Sequence, residues 1–419
     1  MRLWHTGRMR VAALLVACLV CGCGDNQSGA AGPDAGAPVD AAAADAGAGE
    51  LSACGVGPGP RAVVLGENGD SDFIRVLRLE AGELHDDGVE FPADNPRRVA
   101  VRADGREALV AWGGFGDAYG VTVLSLDGAS AELAGTIDLG TGQTPFGVAY
   151  GSDDHAVVVT AGPTRGTLIA IDRVDGALEK GPVMRIPRNW PIDVATRGDT
   201  GEIILARVDL LTDEPTEVFR VVHGAEGWAI AGEPAEIDPA SIDIAVPPGG
   251  TRVLSPTADP DDPVGTGNLE AGGLLQVLEV DDQGGPVAGE SLAVPGLSGS
   301  LVVAPSGAFA VMLQAVYTID DQTGTPIVRT YKLVTVPLGE DGAPIEAMEG
   351  DEEIPALLFD GSDIARSGHL VLAVQRYQGE VPEDEEHPLT LWAQPSPGVW
   401  ERCQTLFMQG AEEVAVAPN

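Results

Sequence analysis

Positive charge is scarce in this chain. Across 419 residues there are 24 Lys plus Arg against 64 Asp plus Glu, a net charge of −40, and only Lys180 and Lys332 are lysines. A surface this acidic lacks the cations that displace counterions from nucleic acid or bind anionic lipid, so neither is expected as a partner. Aromatic residues make up only 5% of the chain. No run approaches the roughly 18 apolar residues that read as a transmembrane helix. His85, His155, His223, His369 and His387 are scattered, no two within ten residues of each other. None has an H-E-x-x-H or similar ligand spacing, and His155 and His369 read as surface residues in or beside turns. The mature part also lacks a P-loop, a G-x-S-x-G elbow and a C-x-x-C pair, so no familiar catalytic signature points to an enzyme.

What remains is an apolar, turn-rich chain. Hydrophobic residues are 44%, with 56 Gly and 31 Pro. That is enough to bury a large core, and the density of turn formers favours an all-β fold over a helix bundle. Three of the five cysteines fall in the first 23 residues; the others are Cys54 and Cys403.

The N-terminus reads as an export signal. Arg2, Arg8 and Arg10 precede an apolar run of 12 residues, Val11–Gly22. That is too short to span a bilayer and suits a signal-peptide h-region. Its end, Val20-Cys21-Gly22-Cys23, resembles a bacterial lipobox, with Leu15-Val16-Ala17-Cys18 as the alternative. The resemblance implies a signal peptide over residues 1–22, lipidation of Cys23 and tethering by acyl chains alone. Gly24, in place of an acidic residue, implies sorting to the outer membrane. Residues 23–53 are Ala, Gly, Pro and Asp with almost nothing to pack, a flexible linker. In an exported protein, Cys54 and Cys403 suggest a disulfide closing a loop of nearly the whole folded part, residues 54–419; the alternative is two unpaired thiols.

From Arg61 onward one phrase recurs: a short apolar strand, a Gly/Asp/Ser turn, a second apolar strand. It reads VAVRADGREALV at 99–110, VAYGSDDHAVVV at 148–159, VATRGDTGEIIL at 194–205, IAVPPGGTRVL at 244–254, LVVAPSGAFAVM at 301–312 and DIARSGHLVLAV at 363–374, and it closes as VAVAPN at 414–419. The first strands end at Val101, Tyr150, Thr196, Val246, Val303, Ile364 and Val416, 46 to 61 residues apart. Two further strand-like runs follow each copy. This predicts seven four-stranded units, a seven-bladed β-propeller. The last copy supplies one strand and stops, while RAVVLG (61–66), FIRVLRLE (73–80) and the run near 89–91 supply three. The seventh blade is therefore expected to join the C-terminal strand to three N-terminal strands, which leaves no open edge.

The turn phrases ADG, PSG and RSG resemble the YVTN/YncE-like and TolB-like propeller repeats. That resemblance implies a ligand site where the innermost strands meet the central channel. The residues just before those strands are Arg98, Gly147, Asp193, Asp243, Ser300, Gly361 and Glu413, with Asp360 and Asp363 beside the sixth. Asp193, Asp243, Asp360, Asp363 and Glu413 would then crowd one funnel with Arg98 as a ligand-binding cation, and Ca²⁺ is a candidate occupant for such carboxylates. The alternative is that they are solvated strand ends, or pair with Arg98. Acidic loops such as Asp351-Glu352-Glu353 have no EF-hand spacing, and the loop 255–273 is long for a blade connection. The functional expectation is a monomeric, membrane-tethered binding or scaffold module that engages an envelope protein or a small ligand at the channel mouth. A propeller lactonase or other hydrolase with a divalent metal on the mouth acids is the alternative, and a purely structural envelope component a third.

Overall fold

Seven four-stranded antiparallel sheets are formed by the described residues of the computed structural model, which are Cys54 and most of residues 61–416. Residues 1–53, 55–60, 259–271, 378–385 and 417–419 and several short connections lie outside them, and with them the lipobox, the linker and most of the loop 255–273. Six of the seven blades run from an innermost strand outward. Blade 1 is Pro96–Val101, Glu107–Gly113, Ala118–Ser125 and Glu132–Thr141; blade 2 is Thr144–Tyr150, His155–Ala161, Gly166–Val174 and Ala177–Ile186. Blade 3 is Trp190–Arg197, Glu202–Val208, Thr216–Gly224 and Gly227–Ile237. Blades 5 and 6 begin with Leu297–Val303 and Phe359–Ser367. In blade 7 the C-terminal strand Ala411–Val416 is innermost and pairs with Arg61–Asn68, in the register Val64↔Val414. The chain is thus a seven-bladed β-propeller closed by its two ends.

Packing explains why the apolar residues sit where they do. The middle strands of a blade are covered on both faces by the neighbouring blades, so they are largely apolar, as in His155–Ala161, buried at every position after its first. Outermost strands such as Glu132–Thr141 are covered on one face and carry the charge. The cores therefore lie between blades rather than within them. Leu109, Val121, Val158 and Ile169 fill the space between blades 1 and 2, and Val157, Leu168, Leu205 and Phe219 that between blades 2 and 3. Leu77, Leu391 and Val414 close the ring between blades 6 and 7, and Val63, Ile74 and Val110 between blades 7 and 1.

Blade 4 departs from the expected pattern. Its innermost strand, anticipated as a full run over 244–246, is reduced to a single bridge, Ala245↔Leu254. Pro247 and Pro248 follow at once, and neither can donate to a ladder. Its outer strand is also broken, into Pro286–Ala288 and Leu292–Pro295, both paired with Gly272–Val280.

The termini are fastened a second time. Cys54 and Cys403 form a disulfide across 349 residues, with their Cα atoms 5.6 Å apart. Cys403 lies in the outermost strand of blade 6, Val399–Gln409, so the bond ties the start of the fold to its last complete blade.

Candidate functional site

A repeated irregularity shapes the channel mouth. The innermost strands of blades 1, 2, 3, 5, 6 and 7 each carry a one-residue bulge at the same height: Arg97, Phe146, Ile192, Gly299, Asp360 and Glu412 are the extra residues. A bulge bends the strand and re-aims the next side chain. The residues that follow are Arg98, Gly147, Asp193, Ser300, Gly361 and Glu413, the positions aligned from the sequence repeat. In blade 4, Asp243 takes this place, two residues before the bridge at Ala245, as Asp193 stands two before Ala195.

These side chains reach sideways to the next blade. Arg98 Nε donates to the carbonyl of Phe146 at 2.9 Å, joining blade 1 to blade 2, and its Nη1 donates to Arg97 O at 2.8 Å. Asp193 Oδ2 accepts the backbone N–H of Ile244 at 2.9 Å, joining blade 3 to blade 4, while its Oδ1 accepts that of Val194 at 2.8 Å. Asp243 Oδ2 accepts the N–H of Leu301 at 2.6 Å, joining blade 4 to blade 5. Blade 4 has no ladder long enough to define its inner edge; Asp193 supplies that edge with an acceptor, and Asp243 on it supplies one to blade 5. Gly147 must be small, because a Cβ there would meet Val194 Cγ1 of blade 3 at 2.7 Å and Val159 Cγ2 at 2.8 Å.

Asp193 and Asp243 also interact directly. Asp193 is half-buried by exposure and closely surrounded by protein, which raises its carboxyl above the usual range. The hydrogen bond with Asp243, those from Ile244 and Val194, and the field of Arg98 pull partly back. The pair thus favours sharing a proton over carrying two charges, and Arg98 is the nearby counter-charge.

The structure thus brings Arg98, Asp193 and Asp243 to one mouth. Asp360 is the bulge residue of blade 6, Asp363 is opposite Val374, and Glu413 is opposite Leu65; their side chains are outside the described residues. Ca²⁺ takes six to eight oxygens. Three of the four carboxyl oxygens of Asp193 and Asp243 are already engaged by backbone N–H groups, so these two acids are better suited to joining blades than to building a cage.

The opposite rim holds groups that the linear reading passed over. Glu107, at the start of the second strand of blade 1, accepts from Tyr150 Oη at 3.0 Å and pairs with Arg173, both in blade 2. Burial and Glu107 hold the Tyr150 phenol proton far above its ordinary range. In blade 3 the same position is Glu202, which binds Arg197 at 2.6 Å and Arg220. Arg220 Nη1 goes on to the carbonyl of Gly284 in blade 4 at 3.0 Å. Arg220 and Arg197 hold Glu202 below the usual carboxylate range. In blade 2 the equivalent residue is His155, hydrogen-bonded to Asp172. The signal for all three was their shared place after the turn of each repeat.

No family model and no curated protein matches the chain. Solved structures do. A periplasmic gluconolactonase from Pseudomonas aeruginosa superposes with a TM-score of 0.57 at 16% identity, over 85% of this chain and 99% of that one. A protein from Lactobacillus plantarum gives 0.59 at 14%, over 86% and 99%. A functionally unknown protein from Desulfotomaculum acetoxidans gives 0.56 at 14%, over 86% and 100%. At such identities the likeness concerns the fold, which these proteins share along almost their full lengths.

Proposed function

We propose that this chain is an exported propeller that binds rather than catalyses. In this reading Cys23 carries the lipid, residues 24–53 hold the propeller clear of the bilayer, and the channel mouth around Arg98 receives a small polar ligand or a segment of an envelope partner. One observation carries it: the described acids at the mouth are engaged across blade boundaries, Asp193 to Ile244 and Asp243 to Leu301, which leaves them poorly placed to hold a metal or activate water. Photo-crosslinking groups placed at Ser300 and Gly361 should trap one recurring species from envelope fractions, and the same group at exposed Val287 on an outer strand should not. Equal labelling from both places would refute a mouth site.

The lactonase reading keeps a specific point in its favour. Asp193 and Asp243 are hydrogen-bonded to each other near the Arg98 guanidinium, and a carboxyl pair can serve as general acid and base. The fold is also that of the Pseudomonas aeruginosa gluconolactonase. Purified protein assayed on gluconolactone separates the two: the binding reading predicts hydrolysis no faster than in buffer. Turnover that is lost in Arg98→Ala would establish the enzyme instead.

A further inference from the structure

The seams between blades are apolar through most of their depth and end in polar clasps. At two seams the clasp is an acid with arginine: Glu107 with Arg173 between blades 1 and 2, and Glu202 with Arg220 reaching blade 4 from blade 3. The seam between blades 2 and 3 is different. On blade 2, Val157 and Val159 face it from one strand and Leu168 and Ala170 from the next; on blade 3, Phe219 and Val221 do so. Alternation along a strand puts the residues two places further on the same face. Those residues are His155, Asp172 and His223. Two imidazoles and one carboxylate therefore close this seam, with no arginine among them.

Their geometry is that of a ligand set. One donor atom from each of the three lies within 4.8 Å of the others. His155 and Asp172 are directly opposed on neighbouring strands, and His155 Nδ1 is 2.9 Å from Asp172 Oδ1. A metal bound between the two would replace the proton of this hydrogen bond, with His155 ligating through Nδ1 and Asp172 through a carboxylate oxygen. The two imidazole rings are 4.5 Å apart, and the Trp228 ring packs 4.9 Å from His223. Gly181 leaves room for the carboxylate, since a Cβ there would collide with Asp172 Oδ2. Glu179, opposite Asp172 on the outer strand, adds negative charge nearby.

We propose that His155, Asp172 and His223 form a divalent transition-metal site that clamps blade 2 to blade 3. Imidazole nitrogen with a single carboxylate selects Zn²⁺, Co²⁺, Ni²⁺ or Cu²⁺ over Ca²⁺ and Mg²⁺. Bonds of about 2.0–2.1 Å need donor atoms roughly 3.4 Å apart, so the set must close by up to about 1.4 Å. The exposed His223 side chain can supply that movement. His155 and Asp172 are half-buried, and His223 is exposed, so a fourth position faces water. The site is separate from the channel mouth and does not depend on what binds there.

The test is metal titration of chelator-treated protein, with Zn²⁺ followed by calorimetry and Co²⁺ by its visible absorption. One Zn²⁺ per chain is expected, together with a rise in melting temperature. Asp172→Asn removes the one anionic ligand and should weaken binding by more than the roughly 10–100-fold that loss of an outer-shell partner costs. His223→Ala should abolish both the stoichiometric site and the thermal shift, while His85→Ala, which removes a half-buried histidine of blade 7, should keep them. Because His223 is exposed, its variant should fold, and circular dichroism checks that it does. Binding that is absent, or that is equally strong in His223→Ala, overturns the proposal.

Discussion

Removing the cross-link between the chain ends should lower the melting temperature by several degrees. In the chain-entropy view a disulfide acts mainly on the unfolded state, which it forbids from separating two distant points. The loop here spans 349 residues. The loop-entropy relation then gives about 20 cal/mol/K, or about 6 kcal/mol at 25 °C. Unfolding entropy near 2.1 cal/mol/K per residue, over a folded part of about 360 residues, amounts to about 0.75 kcal/mol/K. Dividing one by the other gives a drop of about 8 °C. Cys54→Ser, Cys403→Ser and the double variant should share it, because each opens the same loop. Reduced wild-type protein should melt with them. Calorimetry of all four under oxidising and reducing conditions makes the comparison. A double variant melting within about 2 °C of oxidised wild type would refute the reasoning, since the unfolded chain would then have been free all along.

Three further outcomes follow from the two rims. Asp243→Ala leaves the Leu301 N–H without its acceptor and should cost about 2 kcal/mol in urea unfolding, whereas Asp243→Asn keeps an oxygen there and should cost less than about 1 kcal/mol. Glu202→Ala removes the carboxylate that Arg197 and Arg220 share, with side chains only 4% and 6% exposed, and should cost about 3 kcal/mol by the same measurement. Asp193 has its folded-state pKa raised, chiefly by burial, so the stability linked to its proton is complete below pH 3.8 and is lost as pH rises through the folded value. The melting temperature of Asp193→Asn relative to wild type should therefore climb as pH is raised from about 4; a flat difference across that range would show that the carboxyl is not perturbed.

The parts of the fold that were legible are those written locally and repeated. The turn phrase marks the innermost and second strands of each blade, and the incomplete copy at Val414–Asn419 states that the last blade must borrow strands from the other end. Cys54 and Cys403 meet because that stitching brings both extremities to one side of the ring. Blade 4 was misjudged because Ile244-Ala245-Val246 has strand composition, while the decisive constraint is the missing donors of Pro247 and Pro248. The positions aligned from the repeat stand at one height on the innermost strands, since the bulge recurs at one place in the repeat. Their role was not legible: whether Asp243 faces a ligand or the Leu301 N–H depends on how one blade is set against the next. The His155–Asp172–His223 group was passed over for a related reason. Its members are 17 and 51 residues apart in the chain, and only the alternation of apolar residues on facing strands reveals that they share a seam.

Closure of the ring by the two ends is the claim on which the channel mouth and every seam rest, and amide hydrogen exchange reads it directly. The backbone amides of the terminal strand Ala411–Val416 that pair with Arg61–Asn68 should exchange as slowly as those of Val157–Val159 in the middle of blade 2. If the terminal strand instead exchanges at the rate of a free tail, the seventh blade is not stitched from both ends and the ring is open.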